Sequence, residues 1–161
     1  MRAKPRPQID VEHLRRLAGE KTFRRGEDYY AGGRVDILAC ETARIVAQVG
    51  GSENYSTIVT GYGRDIGGGC SCPAFEDMEF CKHMIAVALA ANDLDEHSPA
   101  VGALSRIREY LRRKEKAPLL RIITSLAERD ADLFRRLHRA AAGERPRQSA
   151  EATRIRRARA D

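Results

Sequence analysis

Cys70, Cys72, Cys81 and His83 fall within fourteen positions in the pattern C-x-C-x8-C-x-H, and the apolar run "MIAVALAA" follows the histidine at once. Thiolate sulfur and imidazole nitrogen are the donors a tetrahedral zinc ion takes, at about 2.3 Å and about 2.0–2.1 Å. Residues two apart on an extended strand point to the same face, so Cys70 and Cys72 can both address one ion. Residues two apart on a helix diverge by about 200°. The spacing therefore places Cys81 in the turn before a helix and His83 in its first turn. Between the pairs, "PAFEDMEF" is long enough to fold back, and Pro73 helps to stop the strand. Free N–H groups at the start of the helix favour thiolates, and Lys82 offers a cation against the net −1 of three thiolates and one neutral imidazole on Zn²⁺.

Four protein ligands leave no position for an activated water, so one structural zinc ion is expected rather than a catalytic one. Nothing else in the chain supplies a reaction: there is no glycine–lysine phosphate loop and no nucleophile motif. Glu76, Asp77 and Glu79 read as a solvated loop rather than an acid/base pair, and the expectation is a non-enzyme without a small-molecule substrate. Cys40, on a predicted strand, reads as a small core residue. His13, His97 and His138 have no second donor nearby in sequence and read as structural or surface residues.

The elements that must position this quartet can be read from periodicity. Ile9, Val11, Leu14 and Leu17 recur at helical spacing behind Asp10, a helix cap. "TFRRGEDYYAGGRV" predicts a second helix, with Thr22 as cap and Gly32 or Gly33 at its end; Gly26 inside it signals a close neighbour. After Gly33 the period becomes two, and "RVDILAC", "ARIVAQV" and "YSTIVTGY" predict an antiparallel meander. "GRDIGGGCSC" then carries an extended piece to the cysteines, its glycines implying positive φ or close backbone approach. The helix Cys81–Ala91 is apolar on all sides and should be buried between the sheet and the helices that follow it. Three amphipathic helices come next, with Pro118 at the start of one.

The fold class expected is α+β: a small antiparallel β-meander with N-terminal helices, a zinc knuckle leading into a buried helix, and C-terminal helices. The expected division is a flexible basic segment at 1–8, an α+β domain at 9–98, a helical extension at 99–142 and a basic, disordered tail at 143–161.

The quartet and its surroundings resemble the SWIM zinc finger, found in chromatin-remodelling ATPases and Mutator-type transposases, with the finger at about residues 55–92. "CSCP" and "CKHMIAVALA" are similar to the way that family's knuckle leads into an apolar helix. The upstream "FRRGEDYYAGGRV" and "ARIVAQVGGSENYSTIV", and the downstream "YLRRKEKAPLLRIITSLAERDADLFRRL", are similar to what flanks the finger in bacterial members accompanying Snf-type ATPases. The resemblance implies zinc binding and an interaction role, with DNA or protein as partner.

The formal charge of +6 is concentrated at the ends: residues 1–16 carry +3 and residues 145–161 carry +4, leaving 17–144 at −1. Arg145, Arg147, Arg154, Arg156, Arg157 and Arg159 are the candidate nucleic-acid contacts, salt-sensitive and indifferent to base sequence. Arg106, Arg108, Arg112, Arg113 and Lys114 are a second basic set, read first as an ordinary wet helix face beside the Ile107, Tyr110 and Leu111 stripe. A protein partner such as a Snf-type ATPase could instead use the apolar residues Leu119, Ile122, Ile123, Leu126, Leu133, Phe134 and Leu137. No apolar run approaches the ~18 residues of a membrane span, and "MRAKPRPQID" lacks the apolar block of a signal peptide. A cytoplasmic protein, compatible with nucleoid association, is expected; a reducing compartment also favours metal ligation over disulfides.

Overall fold

The computed structural model describes residues 8–76 and 79–143. Its elements run α1 (Val11–Ala18), α2 (Glu20–Ala31), β1 (Val35–Glu41), β2 (Arg44–Gly50), β3 (Asn54–Tyr62), β4 (Asp65–Cys70), α3 (Lys82–Asn92), α4 (Ala103–Arg112), α5 (Lys116–Arg129) and α6 (Ala131–Ala141), with a 3₁₀ turn at Pro73–Phe75. The fold is α+β, and the change of period after Gly33 marks the passage from helix to sheet.

Four strands form one antiparallel sheet in sequential order, β1-β2-β3-β4. Ile45, Ala47 and Val49 of β2 are buried, and the register sets them opposite Val59, Thr57 and Tyr55 of β3, so one face of the sheet is the core face. In β1 the register slips between Ile37 and Ala39, and the extra residue, Leu38, is turned out to solvent. This bulge is why the alternation in "RVDILAC" is imperfect. The close approach predicted for the glycine run is found at Gly68. Its φ is +145°, and a β-carbon there would stand 2.0 Å from the carbonyl oxygen of Ile58.

Helix α3 lies on the core face with Met84, Ile85, Ala86, Val87 and Ala88 fully buried. Its burial is as expected, but its cover is different. The helices packed on its other side are α1 and above all α2, which precede it, rather than those that follow. Gly26 is the reason α2 can come so near, because a side chain there would collide with Ile85. The N-terminal segment is tied to the end of α3 by Asn92, whose amide accepts from the Ile9 N–H at 2.9 Å and donates to the Ile9 carbonyl at 2.9 Å. Asp10 caps α1 by accepting from the His13 N–H, as its position predicts. Thr22 is not the cap of α2: the cap lies three residues earlier, at Gly19, which makes the turn with φ +74°, and the helix starts at Glu20. Gly32 ends α2.

The chain divides into two compact units, one ending at Tyr110 and the other starting at Leu111. In the first, the Cys40 N–H donates to the Ala100 carbonyl and the Cys40 carbonyl accepts from the Gly102 N–H, so the segment after α3 pairs with β1. In the second, α5 and α6 pack on each other, and Asp130 caps α6 through the N–H groups of Asp132 and Leu133. Pro118 sits in the first turn of α5, where its missing N–H costs nothing. No helix among the described residues is long and apolar enough to cross a membrane.

Candidate metal centre

Cys70, Cys72, Cys81 and His83 reach the same point from four different backbone settings. Cys70 is the last residue of β4. Cys72, still extended with φ −77° and ψ 147°, opens the 3₁₀ turn, so the two side chains share a face although the ladder has ended between them. Cys81 is the extended N-cap residue of α3, and His83 lies in the first turn of that helix, the placement that the x-spacing demands.

The four donor atoms lie within 4.8 Å of one another. Cys70 Sγ and His83 Nδ1 are 3.6 Å apart, which matches the about 3.6 Å separating a thiolate and an imidazole nitrogen bound tetrahedrally to one zinc ion. Nδ1 is therefore the nitrogen at the ligand position. Nε2 is buried and has no hydrogen-bond partner among the described residues. The ring is held instead by aromatic faces: Tyr55 stacks on it at 4.7 Å between centroids, and Tyr29 meets it edge-on at 5.1 Å. The three cysteines of the site are free of disulfides. The donor set and its spacing fit one zinc ion with a closed shell, in which the metal serves the architecture.

Electrostatics around the thiols favour one shared thiolate. The Cys81 thiol donates to Cys70, and together with His83 and Thr57 it pulls the Cys70 thiol down to about 3, against burial. Donating that hydrogen bond, and burial, push Cys81 up. Burial and a hydrogen bond to Cys70 push Cys72 up as well. The Met84 N–H at the start of α3 works in the opposite sense on Cys81, as the positive end of a helix should.

Three residues of the site were not legible as such. Thr57 is fully buried, and its hydroxyl lies 3.3 Å from Cys70 Sγ. The β3–β4 register puts Thr57 directly opposite Cys70, so only the strand pairing could have identified it. Tyr29 and Tyr55 flank His83 from α2 and β3, and nothing in their local sequence marks them as a frame for a ligand. Lys82, expected to offset the charge of the site, donates to the Tyr29 hydroxyl at 2.8 Å and lies 4.4 Å over its ring.

Among the other residues singled out, Cys40 is a buried core residue, as expected. His97 and His138 are exposed, and His13 is half-buried. Glu76 and Glu79 are exposed, and Asp77 lies outside the described residues. Arg106 is used locally, its guanidinium donating to the carbonyls of Val101 and Pro99. Arg108 and Arg112 are exposed. Leu120, Ile123, Leu126, Phe134 and Leu137 are exposed on α5 and α6. The candidate nucleic-acid contacts Arg145, Arg147, Arg154, Arg156, Arg157 and Arg159 lie outside the described residues.

Residues 58–92 match the family model of the SWIM zinc finger, a span that begins in β3 and ends with α3. It contains all four donors and closes on the last residue of the buried helix. Comparison of the chain with curated proteins and with solved structures gives no match. The chain carries a SWIM zinc finger, which is a binding module rather than a catalytic domain.

Proposed function

We propose that this chain is a non-enzymatic interaction module whose zinc finger holds a folded platform together within a nucleic-acid-associated assembly. The observation that carries this reading is the burial of α3. A helix whose Met84–Ala88 segment is wholly enclosed has no face to lay in a DNA groove, so the finger acts by fixing the fold. Contact with nucleic acid then falls to the cationic ends of the chain, whose six arginines in 145–161 suit a phosphate backbone without base readout.

Binding of duplex DNA across a salt series tests this. Affinity should fall linearly with salt on logarithmic axes, and replacing the six tail arginines by glutamine should flatten the slope by up to about five, at roughly 0.9 for each phosphate no longer neutralised. Absence of DNA binding at low salt would overturn the reading.

A second reading, a protein adapter on a helicase-like ATPase, is favoured by the apolar side chains that α5 and α6 leave exposed. It requires a stable complex that survives high salt and withstands removal of the tail charges. Substitution of Leu126 and Phe134 by serine should dissolve that complex while leaving zinc content at one ion per chain.

A further inference from the structure

Beside the knuckle lies a cavity of about 230 Å³. Helix α2 lines it with Thr22, Arg25 and Tyr29, the β2–β3 connection and β3 with Ser52 and Tyr55, and α3 with Lys82. Three of the four metal ligands, Cys72, Cys81 and the buried ring of His83, line it as well.

Among the described residues its lining holds two cations and four hydroxyl groups and no carboxylate, beside the sulfur-bearing side chains of Cys72 and Cys81; the two cations outweigh the net −1 of the zinc-loaded ligand set. Among the described residues, neither Arg25 nor Lys82 is paired with an acidic side chain. Lys82 uses one of its three donors on the Tyr29 hydroxyl, which accepts that bond and keeps its own proton to give. Ser52 and Tyr55 hydroxyls are bonded to each other at 2.7 Å, so one hydroxyl proton of that pair is also available. The acidic residues of the neighbouring loops, Glu53, Glu76 and Glu79, are exposed and do not line the cavity.

We propose that this cavity binds a terminal phosphoryl group, a phosphomonoester carried by the 5′ end of a nucleic acid or by a free nucleotide. A phosphoryl group has three acceptor oxygens and a charge approaching −2, which answers two cations and several hydroxyl donors. A carboxylate, with one charge and two oxygens, would leave part of the lining unmatched. Tyr29 and Tyr55 add aromatic surface against which the attached sugar or base can rest. The site belongs to the folded unit and does not depend on the arginines of the tail.

The test is a titration of the zinc-loaded full chain with inorganic phosphate at constant ionic strength, followed by amide NMR. Saturable shifts are expected at Arg25, Tyr29, Ser52, Tyr55 and Lys82. Arg25→Gln and Lys82→Gln should each weaken binding about tenfold, with one zinc ion per chain retained. Arg25 is remote from the metal ligands in sequence, so its variant keeps the test decisive should Lys82→Gln lose zinc. Parallel titrations with uridine monophosphate and a short 5′-phosphorylated oligothymidine distinguish the sources: whichever exceeds inorganic phosphate in affinity, with the same amides shifting, is the ligand form. Absence of saturable shifts, or equal affinity in wild type and Arg25→Gln, would overturn the proposal. Replacement of the tail arginines should leave these shifts unchanged, so failure here and failure of DNA association are read separately.

Discussion

Gly26 and Ile85 set the distance between α2 and α3: a β-carbon at position 26 would stand 2.6 Å from the β-carbon of Ile85 and 2.6 Å from its methyl branch. It would also lie 3.0 Å from the Lys82 carbonyl oxygen. The obstructing atoms are rigid, being backbone or at the root of a branched side chain. Ile85 is two residues past His83 on the same helix, so this closeness also holds the ligand-bearing end of α3 in place.

Gly26→Ala should therefore destabilise the protein, although alanine is the better helix former by about 1 kcal/mol. Overpacking of this kind costs about 1–3 kcal/mol, and with rigid neighbours the strain should win by about 1–2 kcal/mol. Thermal unfolding of the zinc-loaded protein measures this as a lower Tm. An unchanged or higher Tm would mean that α2 and α3 are not so tightly apposed.

Thr57→Val keeps the shape of a buried strand residue but removes the hydroxyl 3.3 Å from Cys70 Sγ. Removal of such an outer hydrogen bond typically costs 10–100-fold in metal affinity, and a value of about tenfold is expected here because other donors to Cys70 remain. Competition with a chromophoric chelator reads it directly. Affinity equal to wild type would show that the hydroxyl has no part in holding the thiolate.

Zinc affinity should rise steeply with pH near neutrality. In the metal-free, unfolded chain all three thiols have the ordinary cysteine value of about 8.5 and so carry protons at pH 7, and in the folded site Cys72 and Cys81 are pushed up further. Binding must expel these thiol protons, which makes affinity grow by roughly several hundredfold between pH 7 and pH 8. Calorimetry in buffers of different ionisation enthalpy counts the protons released. A count near zero would contradict ligation by three thiolates.

Asn92 holds both the N–H and the carbonyl of Ile9. Asn92→Leu would leave two half-buried backbone groups without partners, at a cost of about 1–3 kcal/mol. The effect should be local as well as global: amide exchange at Ile9 and Asp10 should accelerate beyond what the drop in stability explains. Unchanged protection at those amides would show that the N-terminal segment is anchored elsewhere.

Much of this architecture is legible in the sequence because the signals are local. Period-two runs mark β1 to β3, the donor spacing forces Cys81 and His83 to straddle a helix start, and Gly26 inside an otherwise good helix announces a close neighbour. What escaped is non-local. The identity of that neighbour as α3, with α1 and α2 covering it, depends on how chain segments far apart pack together. Thr57 at the metal centre follows from strand register, and Thr22 loses the capping role to Gly19 because a glycine with positive φ turns the chain sooner. Tyr29 and Tyr55 meet His83 only after α2 and β3 are brought together around it.

The central claim is that the four-residue site and the fold are one thermodynamic unit. Elemental analysis of the purified protein, combined with thermal unfolding before and after chelation, tests it most directly. One zinc ion per chain is expected, absent from Cys72→Ser, with the cooperative transition of the metal-bound protein abolished when zinc is removed and restored on its return. Wild-type protein purified without metal, or a transition that chelation leaves unchanged, would contradict the account.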